Sequence, residues 1–125
     1  MKIELEVGYG RNIIRAYEPG RIKVNEELYT TSIIVTPERI VTDWLPRSVA
    51  DLCRADLDAI TALEPEVVLL GTGARLRFPP PALTRPLLDA GIGFEAMDTG
   101  AACRTYNVLM GEGRRVAAGL LLIEA

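Results

Sequence analysis

Residues 65–73 read Pro65-Glu66-Val67-Val68-Leu69-Leu70-Gly71-Thr72-Gly73. Val67 to Leu70 form an unbroken apolar run between a proline and a glycine. The run is too short for a helix and too uniformly apolar for a strand with one wet face. It is the pattern of a central strand whose sheet is covered on both sides. Downstream, Leu83, Leu87 and Leu88 predict a helix ending at Gly91. Pro86 has no amide to donate, so it is placed in the first turn of a helix starting near Ala82. Ile92, Phe94 and Ala96 alternate as the next strand. Asp98 or Thr99 then caps a helix whose Ala102, Tyr106 and Leu109 share a face and which Gly111 or Gly113 ends. Val116 to Ile123 reads as the last strand. Strand, helix, strand, helix, strand over residues 66–123 predicts a βαβαβ core with parallel pairing and right-handed crossovers.

Upstream, Val49, Leu52, Cys53, Leu57, Ile60 and Leu63 form the stripe of an amphipathic helix, with Ser48 and Asp51 as a capping box and Pro65 as its stop. Cys53 lies on that stripe and reads as a small buried hydrophobe. Residues 1–44 read as β structure. Ile3, Leu5 and Val7 alternate with charged residues. Further strands follow near Asn12–Tyr17, over Arg21–Val24 after the turn Glu18-Pro19-Gly20, over Tyr29–Thr36, and at Ile40 and Val41 before Trp44. The expected architecture is a three-layer α/β single domain over residues 1–125. Residues 1–44 form an antiparallel β meander, and residues 45–125 form an α/β core on a mixed, mostly parallel sheet.

The chain has 125 residues, 49% hydrophobic and 25% charged, which suits one globular domain and excludes a disordered or repeat chain. Its formal net charge of -3 leaves no large basic surface for nucleic acid. The apolar run 116–123 is broken by Gly119 and falls short of the ~20 residues that span a bilayer. Met1-Lys2-Ile3-Glu4 does not open a secretory signal. Cys53 and Cys103 make no C-x-x-C pair, so a reducing cytoplasmic setting is expected. Histidine is absent, which removes Ser-His-Asp and Cys-His catalysis, histidine bases and His-ligated zinc. No catalytic residue, metal or cofactor is expected.

In open α/β sheets, ligands gather beyond the carboxyl ends of the strands, where helix N-termini point. Two loops qualify. Gly71-Thr72-Gly73 permits close backbone approach but lacks the spacing of a dinucleotide or P-loop motif. The helix start Asp98-Thr99 carries Cys103, Arg104, Tyr106 and Asn107. Cys103 beside Arg104 is either a thiolate in an electropositive niche or a thiol packed in an alanine-rich helix. Arg104 and Arg114 suit a carboxylate or phosphate, or are solvated charge. Arg75 and Arg77, with Pro79-Pro80-Pro81, form a stiff, basic segment.

At these residues the chain resembles a family of small domains shared by uncharacterised bacterial and archaeal proteins and the mitochondrial NADH:ubiquinone oxidoreductase complex assembly factor 3. The resemblance runs nearly end to end. It is carried by Trp44, Leu70-Gly71-Thr72-Gly73, Gly91-Ile92 with Glu95 and Met97, Asp98-Thr99, Ala102, Thr105-Tyr106-Asn107 and Glu112-Gly113-Arg114. It implies a three-layer α/β fold with an added small β layer and no enzyme activity. It also implies that the mitochondrial members bind other proteins while a respiratory complex is built. This chain departs from those in having no targeting extension, and in Pro86 where a regular helix residue is usual.

The leading expectation is a non-catalytic binding or assembly protein with protein partners. Its surface would be a cleft between the Gly71 loop and the helix start. There Arg104, Asn107 and Arg114 would make contacts, Thr72 and Asp98 would position the loops, and the Tyr106 hydroxyl would face the site. The alternative is a protein for an anionic small molecule, or a weak enzyme, using the same loops. A homodimer would need an exposed apolar patch.

Overall fold

The computed structural model describes residues 10–122. The strand expected around Ile3, Leu5 and Val7, and Ile123 at the end of the last strand, lie outside the described residues.

Strands β1 (Ile14–Glu18), β2 (Arg21–Val24) and β3 (Glu27–Tyr29) form an antiparallel meander in that order. Its turns use residues that tolerate left-handed backbone: Gly20 at φ +84 and Asn25 at φ 55. The Asn25 side chain also accepts the Ile13 N–H at 3.0 Å and donates to Asn12 Oδ1 at 2.9 Å. A register shift between Ile14 and Ala16 sets two steps of β1 against one step of β2, so Arg15 is the extra residue of a β-bulge.

The second sheet has five strands in the order β5-β4-β8-β6-β7. These are β4 (Ile33–Val35), β5 (Ile40–Val41), β6 (Val67–Gly71), β7 (Gly93–Met97) and β8 (Val116–Leu120). β6 pairs parallel with β7 and β8, whereas β4 pairs antiparallel with β8 and β5. The βαβαβ core is as expected, and the sheet is mixed. The single strand expected over Tyr29–Thr36 is instead two. Tyr29 pairs with Ile22 in the meander, while Ile33 pairs with Leu120 in the larger sheet. Stacked sheets lie roughly 10 Å apart, so residues 30–32 must cross between layers even though the β-branched residues on both sides of Ser32 favour strand. The meander therefore ends at Tyr29, and β4 and β5 belong to the core sheet rather than to a layer reaching residue 44.

The helix expected from Ser48 is broken. A single 3-10 turn over Val49–Asp51 is followed by extended Leu52 and Cys53, then by helix α1 (Arg54–Thr61). Ser48 makes no side-chain cap bond. Asp51 Oδ2 accepts the Arg47 N–H at 3.2 Å, and Asp56 Oδ2 accepts the Cys53 N–H at 3.0 Å, so the true cap lies five residues on. Val49, Leu52, Leu57 and Ile60 are buried as the stripe requires, but Cys53 is exposed. Helix α2 (Pro81–Asp89) starts on Pro81 and carries Pro86 in its second turn, not its first. The Pro79-Pro80-Pro81 run sets that earlier start. Helix α3 (Thr99–Gly111) begins as expected, with Asp98 Oδ1 accepting the Ala101 N–H at 2.8 Å.

Alternation along the central strands makes two cores. Leu69, Ala118 and Leu120 face the meander and α3, packing with Ile14, Ile22, Val24, Tyr106 and Met110. Val68, Leu70, Ala117 and Leu121 face α1 and α2, packing with Trp44, Leu57, Ile60 and Leu87. The layers are thus the meander with α3, the sheet, and α1 with α2.

Candidate functional site

β6 ends on Gly71, where a Cβ would stand 2.9 Å from Thr99 Oγ1, 3.0 Å from Thr99 Cα and 3.1 Å from Leu120 Cδ2. Only glycine lets the start of α3 sit on the strand end. Thr99 is fully buried. Its hydroxyl donates to the Leu121 carbonyl at 2.8 Å and accepts the Gly73 N–H at 2.8 Å, and its own N–H donates to the Gly73 carbonyl at 2.8 Å. The Thr72 hydroxyl lies against the Arg75 and Met97 carbonyls and accepts the Arg77 N–H at 3.1 Å. Between the Gly71 loop and the helix start, where a cleft is expected, these residues form a clasp. Their polar atoms are taken up by internal bonds.

The other face of the α3 start is more open. Asn107 grips β1 as a neighbouring strand would: Nδ2 donates to the Ile14 carbonyl at 2.7 Å, and Oδ1 accepts the Ile14 N–H at 3.0 Å. The Tyr106 hydroxyl points into the meander and donates to the Asn12 carbonyl at 2.8 Å, so it does not face the expected cleft. Burial raises the Tyr106 pKa above its ordinary value. Beside Asn107, a cavity of about 280 Å³ opens between β1 and α3, lined by Ile14, Arg15, Ala16, Tyr17, Gly100, Cys103, Arg104 and Asn107. Cys103 is 4% exposed, and burial pushes its pKa up to about 12 against the opposing pull of Arg104. At neutral pH it is a packed thiol, and the thiolate alternative fails on desolvation.

Arg114 does not join this group. Its Nε donates to Glu66 Oε2 at 2.8 Å, and the Arg115 N–H donates to Glu66 Oε1 at 3.1 Å. These two bonds, the Arg115 backbone bond first, hold the Glu66 carboxyl below its usual range. Both residues precede β8 and Glu66 precedes β6, so this cluster sits at the opposite end of the parallel strands from Thr99. A smaller cavity of about 210 Å³, lined in part by Thr36, Arg39, Glu64 and Arg115, opens beside it. The structure therefore brings together Cys103, Arg104 and Asn107, and separately Gly71, Thr72, Gly73 and Thr99, with Asp98 capping the helix between the two groups. Sequence reasoning missed Arg15 and Tyr17. Alternation assigns a strand residue to a face, but it carries no sign of which helix will lie against that strand.

Among the described residues, no group of three or more His, Cys, Asp or Glu side chains is placed to hold a metal ion. None of the described helices is long and apolar enough to cross a membrane.

Known proteins share this fold. A crystal structure from Bordetella parapertussis is 45% identical, with a TM-score of 0.85 over 90% of this chain and 97% of that one. The Francisella tularensis protein called 13 kDa major membrane protein is 30% identical over 105 residues, 82% of this chain and 85% of its own length. That name says membrane where the sequence reading says cytoplasm. NADH dehydrogenase (ubiquinone) 1 alpha subcomplex assembly factor 3 of Danio rerio is 34% identical over 111 residues, 87% of this chain. The chain spans 63% of that factor's length. These likenesses bear out the resemblance carried by the Gly71 and Asp98 segments. Matched over residues 14–121, the chain belongs to the family described as Protein of unknown function (DUF498/DUF598).

Proposed function

We propose that this chain is a protein-binding module that assists the building of a larger protein complex and catalyses no reaction of its own. The observation that carries this reading is its 34% identity to the Danio rerio assembly factor over 87% of this chain. The chemistry of the α3 start supports it. Cys103 is held as a neutral thiol, Tyr106 is bonded to backbone and Asp98 caps a helix, so none is poised to attack or to transfer a proton.

The contact surface we favour is the segment 75–78, where Leu76 and Phe78 are 50% and 75% exposed and alternate with Arg75 and Arg77. Large apolar side chains on a loop stiffened by Pro79-Pro80-Pro81 make a contact at low ordering cost, and the arginines add directional bonds at its rim. The membrane-bound NADH dehydrogenase is the first complex to test. Depleting the chain in its own cells should make partial assemblies of that enzyme accumulate on native gels. Resupplied wild-type chain should clear them, and the doubly substituted Leu76→Ser, Phe78→Ser chain should fail to. Normal amounts and rates of assembly in depleted cells would overturn the reading for that complex.

A further inference from the structure

We propose that the cavity between β1 and α3 binds a carboxylate with an apolar body, gripped by the guanidinium groups of Arg15 and Arg104. This goes beyond an assembly role and stands or falls independently of it.

Two cations from two separate elements line one space of about 280 Å³. Several other arginines are ion-paired: Arg21 with Glu18, Arg54 with Asp58, Arg85 with Asp89, and Arg114 and Arg115 with Glu66. The side chains of Arg15 and Arg104 have no hydrogen bond or ion pair among the described residues. Arg15 is the extra residue of the β1 bulge, a device that re-aims a side chain out of the regular alternation, and it lines the cavity beside Ile14 and Ala16. Arg104 folds back over the first turn of its own helix. Its Nη1 lies 3.6 Å from where a Cβ of Gly100 would stand, and Tyr17 Cδ2 lies 3.4 Å from the same point. Glycine at 100 keeps open the gap between that ring and that guanidinium.

Charge decides the class of anion. Asp98 Oδ1 stands 3.4 Å from that same Gly100 point, so one negative charge offsets the two positive ones. A single net positive charge suits a monocarboxylate better than a phosphate group, which carries about −1.5 to −2. Asp98 already occupies the Ala101 amide, so the anion is left to the guanidiniums, whose paired N–H groups match the two oxygens of a carboxylate. Ile14, Ala16 and the Cys103 thiol supply apolar wall, and the space equals that of about nine waters, enough for one small ring.

The carboxylate could belong to a free acid or to a polypeptide terminus. The full chain is titrated by NMR with benzoate, its neutral isostere benzamide, inorganic phosphate, and N-acetyl-alanyl-phenylalanine as acid and as amide. Benzoate is expected to saturate and to move the amide signals of residues 14–17 and 100–107, with benzamide weaker by roughly tenfold or more. Arg15→Gln and Arg104→Gln should each weaken benzoate roughly tenfold, while Arg114→Gln should change nothing. Gly100→Met should block binding without altering charge. The peptide acid binding much tighter than both benzoate and the peptide amide would make the source a chain terminus, and benzoate binding as tightly or more tightly would make it a free acid. Equal binding of benzoate and benzamide, tighter binding of phosphate, unchanged affinity in both arginine variants, or no saturation by roughly 20 mM would overturn the proposal.

Discussion

Gly71 has no room for a methyl group, because two atoms of Thr99 and one of Leu120 already stand within 3.1 Å of where it would go. The Thr99 Cα is backbone of the helix, so it cannot retreat without moving that element. Gly71→Ala should therefore cost about 1–3 kcal/mol and lower the melting midpoint by about 4 °C or more in a thermal unfolding scan. Thr99→Val keeps the shape but strands the buried Gly73 N–H and Leu121 carbonyl. A loss of about 1–3 kcal/mol in urea unfolding is expected, with Thr99→Ser restoring most of it. A Val variant as stable as the wild type would show that these bonds carry little. The glycines and the capping aspartate were legible in the sequence because their requirements are local. The second bond of Thr99 was not, because its acceptor lies 22 positions away on another strand.

Helix α2 tolerates Pro86 in its second turn, where the amide that would bond the Ala82 carbonyl is missing and the ring crowds that carbonyl. Pro86→Ala should stabilise the protein by about 1–3 kcal/mol, read as a raised urea midpoint at unchanged m-value. A lowered midpoint would mean that the proline's restriction of the unfolded chain outweighs the restored bond. At this scale the sequence located every strand of the βαβαβ core and misread two joins. Residues 49, 52, 57 and 60 keep a helical spacing straight through the break at Leu52 and Cys53, so periodicity alone could not reveal it. The stretch 29–36, rich in β-branched residues, keeps its strand propensity on both sides of Ser32 while the chain changes sheets. In both places a tertiary demand overrides a local pattern that is satisfied on either side of it.

Across the whole molecule, two cores lie back to back on one sheet, and both groups with strongly raised pKa values, Cys103 and Tyr106, belong to the meander side. The unfolded Cys103 thiol ionises near its ordinary 9.0, while the folded one holds its proton to about 12. The stabilising contribution is therefore complete below pH 9 and is lost as pH rises from 9 towards 12. Tyr106, raised from 10.0, acts in the same direction. Urea midpoints should fall between pH 9 and 11, and Cys103→Ala should fall less steeply. Parallel slopes would mean that the thiol is not the titrating group. The Asp98–Asn107 segment of the site was legible as a polar helix start. The wall opposite it was not, since the cavity exists only because the bulged strand near the front of the chain lies against a helix near its back.

That pairing reaches beyond the folded state. Ile14 is held by Asn107, Asn12 by Tyr106 and Met110 by Arg11, contacts that span 93, 94 and 99 positions. During synthesis the meander leaves the ribosome long before the helix that covers it, so its apolar face, Ile14, Ile22 and Val24, stays open until residues 99–111 have followed it out. Such distant closures slow folding and lengthen the time in which exposed strands can pair with the wrong neighbour. This protein should thus be most vulnerable to aggregation as a nascent chain, before the helix Thr99–Gly111 has emerged to cover the meander.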